Sequence, residues 1–448
     1  AAPPEPLPWE AQGLPRLRRD LEHLLDGCRR NDSPRFWGYV NPPGTEIGSH
    51  ADHLVSALNQ NLTSWRSAPG ATEVELLVLD WIREIVGFPR GAGGLLVSGG
   101  SLANFCGLAA ARDAATREDL GATGLQRLRG ARLAIYASAE AHGSISKAAA
   151  LLGIGSDQVR PVPVDRALRL DPRALRDLLR RDRRAGLRPF CVVASAGSVN
   201  TGAVDPLREI QRLCRRERLW LHVDACYGGF ALLAPSAHPL LRGIGLADSV
   251  ALDPHKWLYA PLDAGCILYR NPVAARRAFH LEADYTRTFG RTELENFAFW
   301  DYGPELSRRF RALKIWLTLK YHGAATLSAA IESDLGLARS LEERIRKAPR
   351  LQKLASGLSI VCFRYVPAGP RLPEADLDRI NQELLLRLQA EGRVFVSNVK
   401  VRGRFALRAC IINYRTTEAD LALLIERTLA CGAAVGPRPV KKARRTGP

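Results

Sequence analysis

Among its 448 residues the chain has no methionine, although a protein of this length ordinarily carries several. The motifs below keep their spacing, so scattered replacement explains the gap better than deletion, and the absence excludes no function. Long apolar runs are missing too: nothing approaches the roughly 18 residues of a membrane-spanning helix, and no membrane partner is expected. AAPPEPLPWE at the N-terminus lacks the basic start and continuous apolar stretch of a secretory leader, so a cytoplasmic location is expected. The nine cysteines are scattered, odd in number and form no CxxC pair. That pattern argues against a disulfide framework and against zinc, and no metal is expected.

What is present is the composition of an ordinary globular protein, 46% hydrophobic and 25% charged, long enough for two packed units. The formal charge of +18 could attract a polyanion. Most of the excess, however, is arginine interleaved with acids, as in RALRDLLRRDRR, the pattern of a solvated helix face. The one concentrated basic run is the terminal GPRPVKKARRTGP, so nucleic acid is not an expected partner unless that tail grips it.

Apolar periodicity organises the rest. LPRLRRDLEHLLDG reads as a short amphipathic helix and SPRFWGYVNPPGTEIGSH as a loop. TEVELLVLDWIREIVG has helical spacing, with Thr72 and Glu75 in a capping-box arrangement and Gly87 as its stop. From there to about residue 270, the β-prone runs LLV, RLAIYAS, FCVVASAG, WLHVDACY, SVALDPH and GCILYR alternate with helical stretches. Strands apolar on both faces and separated by helices predict an α/β fold with a mostly parallel sheet, in which ligands lie beyond the carboxyl ends of the strands. PELSRRFRALKIWLTLKYHG predicts a long helix ending at Gly323, and LSIVCFRYV and FALRACIINYR predict strands of a smaller C-terminal unit.

Three strand ends carry chemistry. LLVSGGSLANFCGLAAAR passes from a strand through Ser98, Gly99, Gly100 and Ser101 into a helix. Glycines admit an anion close to the backbone, and a helix start offers amides and a favourable dipole to phosphate. Alone, the pattern is equally a plain turn; it is neither GxGxxG nor GxxxxGK[ST], so dinucleotides and nucleoside triphosphates are not expected. In WLHVDACYGGF, Asp224 interrupts an apolar strand, where a carboxylate must meet a cation or several donors. ALDPHKWLYAP places Lys256 at another strand exit, 32 residues later, room for one step to the same sheet edge. A lysine freed of its proton by desolvation is a nucleophile for carbonyl compounds. Phosphate cradle, buried carboxylate and buried amine match the three needs of pyridoxal 5'-phosphate: a phosphate site, a partner for the ring nitrogen and an amine for a Schiff base. His142, in ASAEAHGSISKAA, follows another strand; a lone histidine is more often a core residue, but here an imidazole could stack on the cofactor ring.

SGGSLAN, AEAHGSISKA, VDACYGG, DPHKWL and DYGPELSRRFRALKIW together resemble the group II pyridoxal-phosphate decarboxylases, the family of aromatic L-amino acid, glutamate and cysteine sulfinate decarboxylases, over about residues 34–430. The resemblance implies fold type I, the aspartate aminotransferase architecture, usually as a homodimer with active sites at the interface. An N-terminal segment over 1–60, a large pyridoxal-phosphate-binding domain over 61–312, a small α+β C-terminal domain over 313–437 and a disordered basic tail over 438–448 are expected. The match makes Lys256 the Schiff-base lysine, Asp224 the partner of the pyridine nitrogen and His142 the stacking residue. Gly100 and Ser101 would hold the phosphate, with His255 beside it, and Ser198 in ASAGSVNTGAVDP would lie near the cofactor.

Tyr285, in FHLEADYTRTFGRTELENF, matches the tyrosine on a mobile loop that serves the family as proton donor. Arg408, in FALRACIINYR, matches an arginine that engages the substrate carboxylate in part of the family. Residues after PRFW and around NQN shape the family's side-chain pocket; here they read Trp37, Gly38, Tyr39, Val40, Asn41 and Pro42, then Asn59, Gln60 and Asn61, with Trp65 nearby. Aromatic and amide groups without an extra cation suit an aromatic L-amino acid substrate. The alternatives are an acidic amino acid (glutamate, aspartate or cysteine sulfinate) and a different reaction of the same fold, such as aldehyde synthesis.

Overall fold

The computed structural model describes residues 6–116, 118–128, 130, 132–280 and 291–435. Seven strands form the larger sheet: β1 (Gly93–Val97), β2 (Arg132–Ser138), β3 (Val159–Val162), β4 (Leu187–Ser195), β5 (Trp220–Asp224), β6 (Ser249–Leu252) and β7 (Gly265–Tyr269). Their spatial order is β1-β7-β6-β5-β4-β2-β3. Only β7 runs against its neighbours; β2 to β6 pair in parallel. Every residue of β6 and β7 is buried, as a sheet covered on both faces requires. Register sets Ser195 opposite Asp224 and Asp224 opposite Ala251. The exits of β4, β5 and β6 therefore share one edge, as the spacing of Asp224 and Lys256 predicted.

A second, antiparallel sheet holds β8 (Leu351–Gly357), β9 (Ile360–Tyr365), β10 (Ser397–Val401) and β11 (Arg404–Cys410), in the order β10-β11-β9-β8. The helices Glu374–Glu391 and Glu418–Val435 pack on it around Leu384, Leu388, Leu421 and Leu424. Trp37 belongs to this core rather than to any pocket: it is fully buried and donates its indole N–H to Thr416 Oγ1 at 3.2 Å.

Three local expectations are corrected. The helix expected to start at Thr72 runs from Pro69 to Val86. Proline needs no N–H bond in a first helical turn, so the helix begins a turn early and Thr72 and Glu75 are interior residues. Gly87, with φ +75°, ends it as expected. The helix expected over residues 304–323 starts only at Ala312, because the preceding backbone is pinned elsewhere: the Arg308 N–H donates to Asn61 Oδ1 at 2.8 Å. It then continues to Lys347 through a kink at Gly323, whose φ of +78° suits glycine. Finally, EIGSH is not loop but the start of the helix Glu46–Leu58, capped by Thr45 Oγ1. The N-terminal helix Leu14–Asp26 forms as expected and buries none of its residues. Among the described residues no helix is long and apolar enough to cross a membrane, and no cluster of metal-ligating side chains occurs.

Candidate active site

A cavity of about 390 Å³ opens where β1, β4, β5 and β6 end. Its wall includes Gly100, Ser101, His142, Ser198, Asp224, His255 and Lys256, so residues from five separated sequence motifs meet at one sheet edge. Such convergence is what a sheet with crossovers produces at its carboxyl end.

Lys256 sits on the short helix Pro254–Trp257 that follows β6. Its Nζ lies 2.8 Å from Asp253 Oδ2. Burial on its own favours the neutral amine, but Asp253, with Asp224 beyond it, outweighs burial and holds the ammonium above its ordinary range. Desolvation, which was expected to free the amine of its proton, is thus opposed by Asp253. Asp253 is buried, and its Oδ1 has no partner. Sequence reading missed this residue, although an acid three positions before a lysine on a helix was signal enough.

The Asp224 carboxylate accepts from the Cys226 N–H at 3.1 Å and from Asn104 Nδ2 at 3.1 Å, the donors that a carboxylate in an apolar strand was expected to need. His142 stands exposed at the rim, with Nδ1 2.8 Å from Ser144 Oγ. His255 accepts the Ala264 N–H on Nδ1 at 3.1 Å, and burial pushes its imidazole below the ordinary value. Its Nε2 therefore carries the proton, 3.8 Å from Asp253 Oδ2. Ser198 is buried, with Oγ 3.1 Å from Thr201 Oγ1. Opposite, Tyr227 stacks on Trp257 with ring centroids 5.2 Å apart, and its hydroxyl lies 2.7 Å from Ser359 Oγ.

The turn expected to cradle a phosphate is tight. A Cβ on Gly100 would come 2.4 Å from Cys226 Sγ and 2.8 Å from Asp253 Oδ2, and one on Gly99 would reach His255 at 3.3 Å. The helix Gly100–Ala114 has no side-chain cap at its start, so its first amides are open to an anion. An open helix start for a phosphate, a carboxylate for a ring nitrogen and an amine for an aldehyde form a set that fits pyridoxal 5'-phosphate.

Three expected residues, Tyr39, Asn41 and Arg408, stand apart from that wall. Of the Tyr39 to Asn41 stretch only Val40 lines the cavity; Tyr39 is largely exposed, and its carbonyl accepts from Arg408 Nη1 at 2.8 Å. Arg408 is buried, and its Nε donates to Val199 O at 2.9 Å. Its Nη2 has no partner. The guanidinium thus ties together two loops that flank the cavity. Tyr285 lies outside the described residues.

Comparison with known proteins points to the same cofactor. The family model "Pyridoxal-dependent decarboxylase conserved domain" matches residues 2–366. The chain is 35% identical over 434 residues to an aromatic-L-amino-acid decarboxylase of Bacillus atrophaeus, covering 95% of this chain and 88% of that one. It is 31% identical to a 4-hydroxyphenylacetaldehyde synthase of Rhodiola rosea, covering 93% and 84%. Among solved structures, Oryza sativa TDC with PLP and tryptamine matches with a TM-score of 0.89 at 29% identity, covering 97% and 90%.

Proposed function

The chain belongs to the pyridoxal-dependent decarboxylase family, and we propose that it converts an aromatic L-amino acid to its amine and carbon dioxide. The convergence of Lys256, Asp224, His142 and the Gly100 helix start on one cavity carries the assignment of the site. Gly100 and Ser101 would take the cofactor's phosphate, Lys256 would hold its aldehyde carbon through the amine, and His142 would cover its ring. When bound, pyridoxal 5'-phosphate supplies an electron sink for the bond between Cα and the carboxylate.

The protein's own groups set the conditions for that bond to break. Asp224 keeps a proton on the ring nitrogen by its negative charge. Asp253, 2.8 Å from Lys256 Nζ, holds and orients the lysine as its ammonium until the proton is given up. Arg408, whose Nη2 has no partner, would have to turn toward the cavity to meet the substrate carboxylate, and Tyr285 would return a proton to Cα. Among the described residues the cavity wall includes no arginine, and its one lysine is Lys256. A second carboxylate on the substrate would find no cation in that wall, which favours an aromatic side chain, in keeping with the Bacillus relative.

Aldehyde formation is a second reading, favoured by the Rhodiola relative. A panel of aromatic and acidic L-amino acids, read as carbon dioxide, amine, ammonia and peroxide, separates the readings. Amine and carbon dioxide in equal amounts from aromatic substrates are expected; turnover of glutamate or cysteine sulfinate alone would overturn the substrate assignment, and ammonia with peroxide the reaction. We further propose a cytoplasmic homodimer with interfacial active sites, supported by nine unpaired cysteines and by the exposed apolar row Leu14, Leu17, Leu21 and Leu24.

A further inference from the structure

Behind Asp224 and His142 runs a line of buried polar groups that plays no part in the reaction described above. Trp220 Nε1 lies 2.8 Å from Ser249 Oγ, which lies 2.8 Å from His222 Nδ1. His222 Nε2 lies 2.8 Å from Asn104 Oδ1. Asn104 Nδ2 reaches Asp224 Oδ2 at 3.1 Å and Ser144 Oγ at 2.9 Å. Ser144 contacts His142 Nδ1 through Oγ at 2.8 Å and through its backbone N–H at 3.2 Å. His222, Ser249, Asn104 and Ser144 are at most 3% exposed, so water does not reorder them.

The direction of each bond is forced. Asn104 Oδ1 faces His222 Nε2, so the His222 proton sits on Nε2 and Nδ1 accepts from the Ser249 hydroxyl, which in turn accepts the Trp220 indole N–H. Burial pushes that imidazole down to about 4, so it carries a single proton near neutrality. A carboxylate only accepts, so Asn104 must turn its NH2 toward Asp224 and its carbonyl toward His222. A backbone N–H only donates, so His142 Nδ1 is an acceptor and its proton sits on Nε2. Three fixed ends, Trp220, Asp224 and the Ser144 amide, thus agree on one polarity. The fit is close as well: a Cβ on Gly107 would come 2.5 Å from the His222 ring.

We propose that His222 and Asn104 are positioning residues of the cofactor site, a one-way hydrogen-bond relay that orients the Asp224 carboxylate and fixes the His142 tautomer through a single amide. This rests on the assignment of Asp224 and His142 to the cofactor made above. The relay makes Asn104 the branch point: its two N–H groups serve the carboxylate and, through Ser144, the rim histidine.

The test combines nitrogen-15 solid-state spectra of histidine-labelled holoenzyme with cofactor dissociation constants by equilibrium dialysis. His142 and His222 should both show a protonated Nε2 and a bare Nδ1. Asn104→Ala and His222→Leu should weaken cofactor binding about tenfold to a hundredfold, the scale of one hydrogen bond to a charged group. His222→Gln, which keeps a donor toward Asn104, should restore most of the loss. Ser144→Ala should change the His142 signal and leave that of His222 in place. A protonated Nδ1 on either wild-type histidine would overturn the relay, and that reading needs no variant to fold. So would equal cofactor affinity in the leucine and glutamine variants. If Asp224→Ala binds cofactor as tightly as wild type, the site assignment itself has failed and the relay with it; loss there with none in the Asn104 and His222 variants sinks the relay alone.

Discussion

Of the buried ion pairs among the described residues, two differ in one respect that decides their roles. Arg308 and Glu75 are wholly inaccessible. Arg308 also donates to Leu62 O and Leu96 O and lies over the Phe299 ring, and Glu75 accepts the Leu96 N–H. The pair clamps the helix Pro69–Val86, β1 and the approach to the long helix together. Lys256 and Asp253 are also paired, but on a cavity wall. Each pair leaves atoms without a partner: Asp253 Oδ1 in one, Glu75 Oε2 and Arg308 Nε in the other. Burial, pairing and an orphaned oxygen therefore do not mark a site on their own. Access does, together with a lysine, which can lose its proton, in place of an arginine, which cannot.

That contrast predicts opposite consequences. Lys256→Ala should reduce turnover by at least about a thousandfold, since a covalent group is lost and nothing replaces it. The variant should also lack the yellow colour that borohydride bleaches in wild type. A coloured, active alanine variant would remove Lys256 from the site. Glu75→Gln should instead strand a buried guanidinium, at a cost of roughly 3–5 kcal/mol in stability, measured as a shift in denaturant midpoint. The folded fraction should keep its cofactor, and a colourless but fully stable variant would reverse the assignment of roles.

Asp253→Asn acts more mildly, on rate rather than on existence. Asp253 is what lifts the Lys256 ammonium against burial, so the asparagine variant should hold its amine neutral at lower pH. Cofactor loading by apoenzyme, which requires the neutral amine, should then gain its pH-dependent rise at lower pH than in wild type. An unmoved profile would show that the carboxylate does not set the lysine's charge.

Much of this was legible in the sequence because strand exits carry local signals. Gly99 and Gly100 beside a helix start, Asp224 and Lys256 in apolar strands, and the order of six apolar runs are one-dimensional facts, and they set the sheet edge correctly. β3, β8 and β10 escaped because short or half-exposed strands lack a clear apolar run; the Val159–Val162 strand contains Arg160 and Pro161. Asn104 and His222 escaped for another reason. Neither is unusual in its own segment, and only the register of β5 against its neighbours, with the helix from Gly100 laid across it, brings them within 2.8 Å. Glu75 was misread as half of a capping box, since the partner that draws it inward, Arg308, is 233 residues away.

A third buried acid sharpens the comparison, because no cation pairs with it among the described residues. Asp334, on the long helix, accepts at Oδ2 from Trp257 Nε1 at 2.9 Å and from the Tyr259 hydroxyl at 2.7 Å, and its Oδ1 has no partner. Burial outweighs those two donors and pushes the carboxyl up to about 7 from its ordinary 3.8. Between those values the folded chain holds a proton that the unfolded chain has released. The group's contribution to stability is therefore complete below about pH 4 and is lost as pH rises through about 7. Asparagine keeps an acceptor for both aromatic donors and has no proton to lose. Asp334→Asn should thus flatten the stability profile over this window and gain about 1–3 kcal/mol on wild type above about pH 7, read from urea midpoints at about pH 5 and about pH 8. Equal slopes in the two proteins would mean that Asp334 ionises in the fold as easily as in water, so that burial without a cation costs this protein nothing.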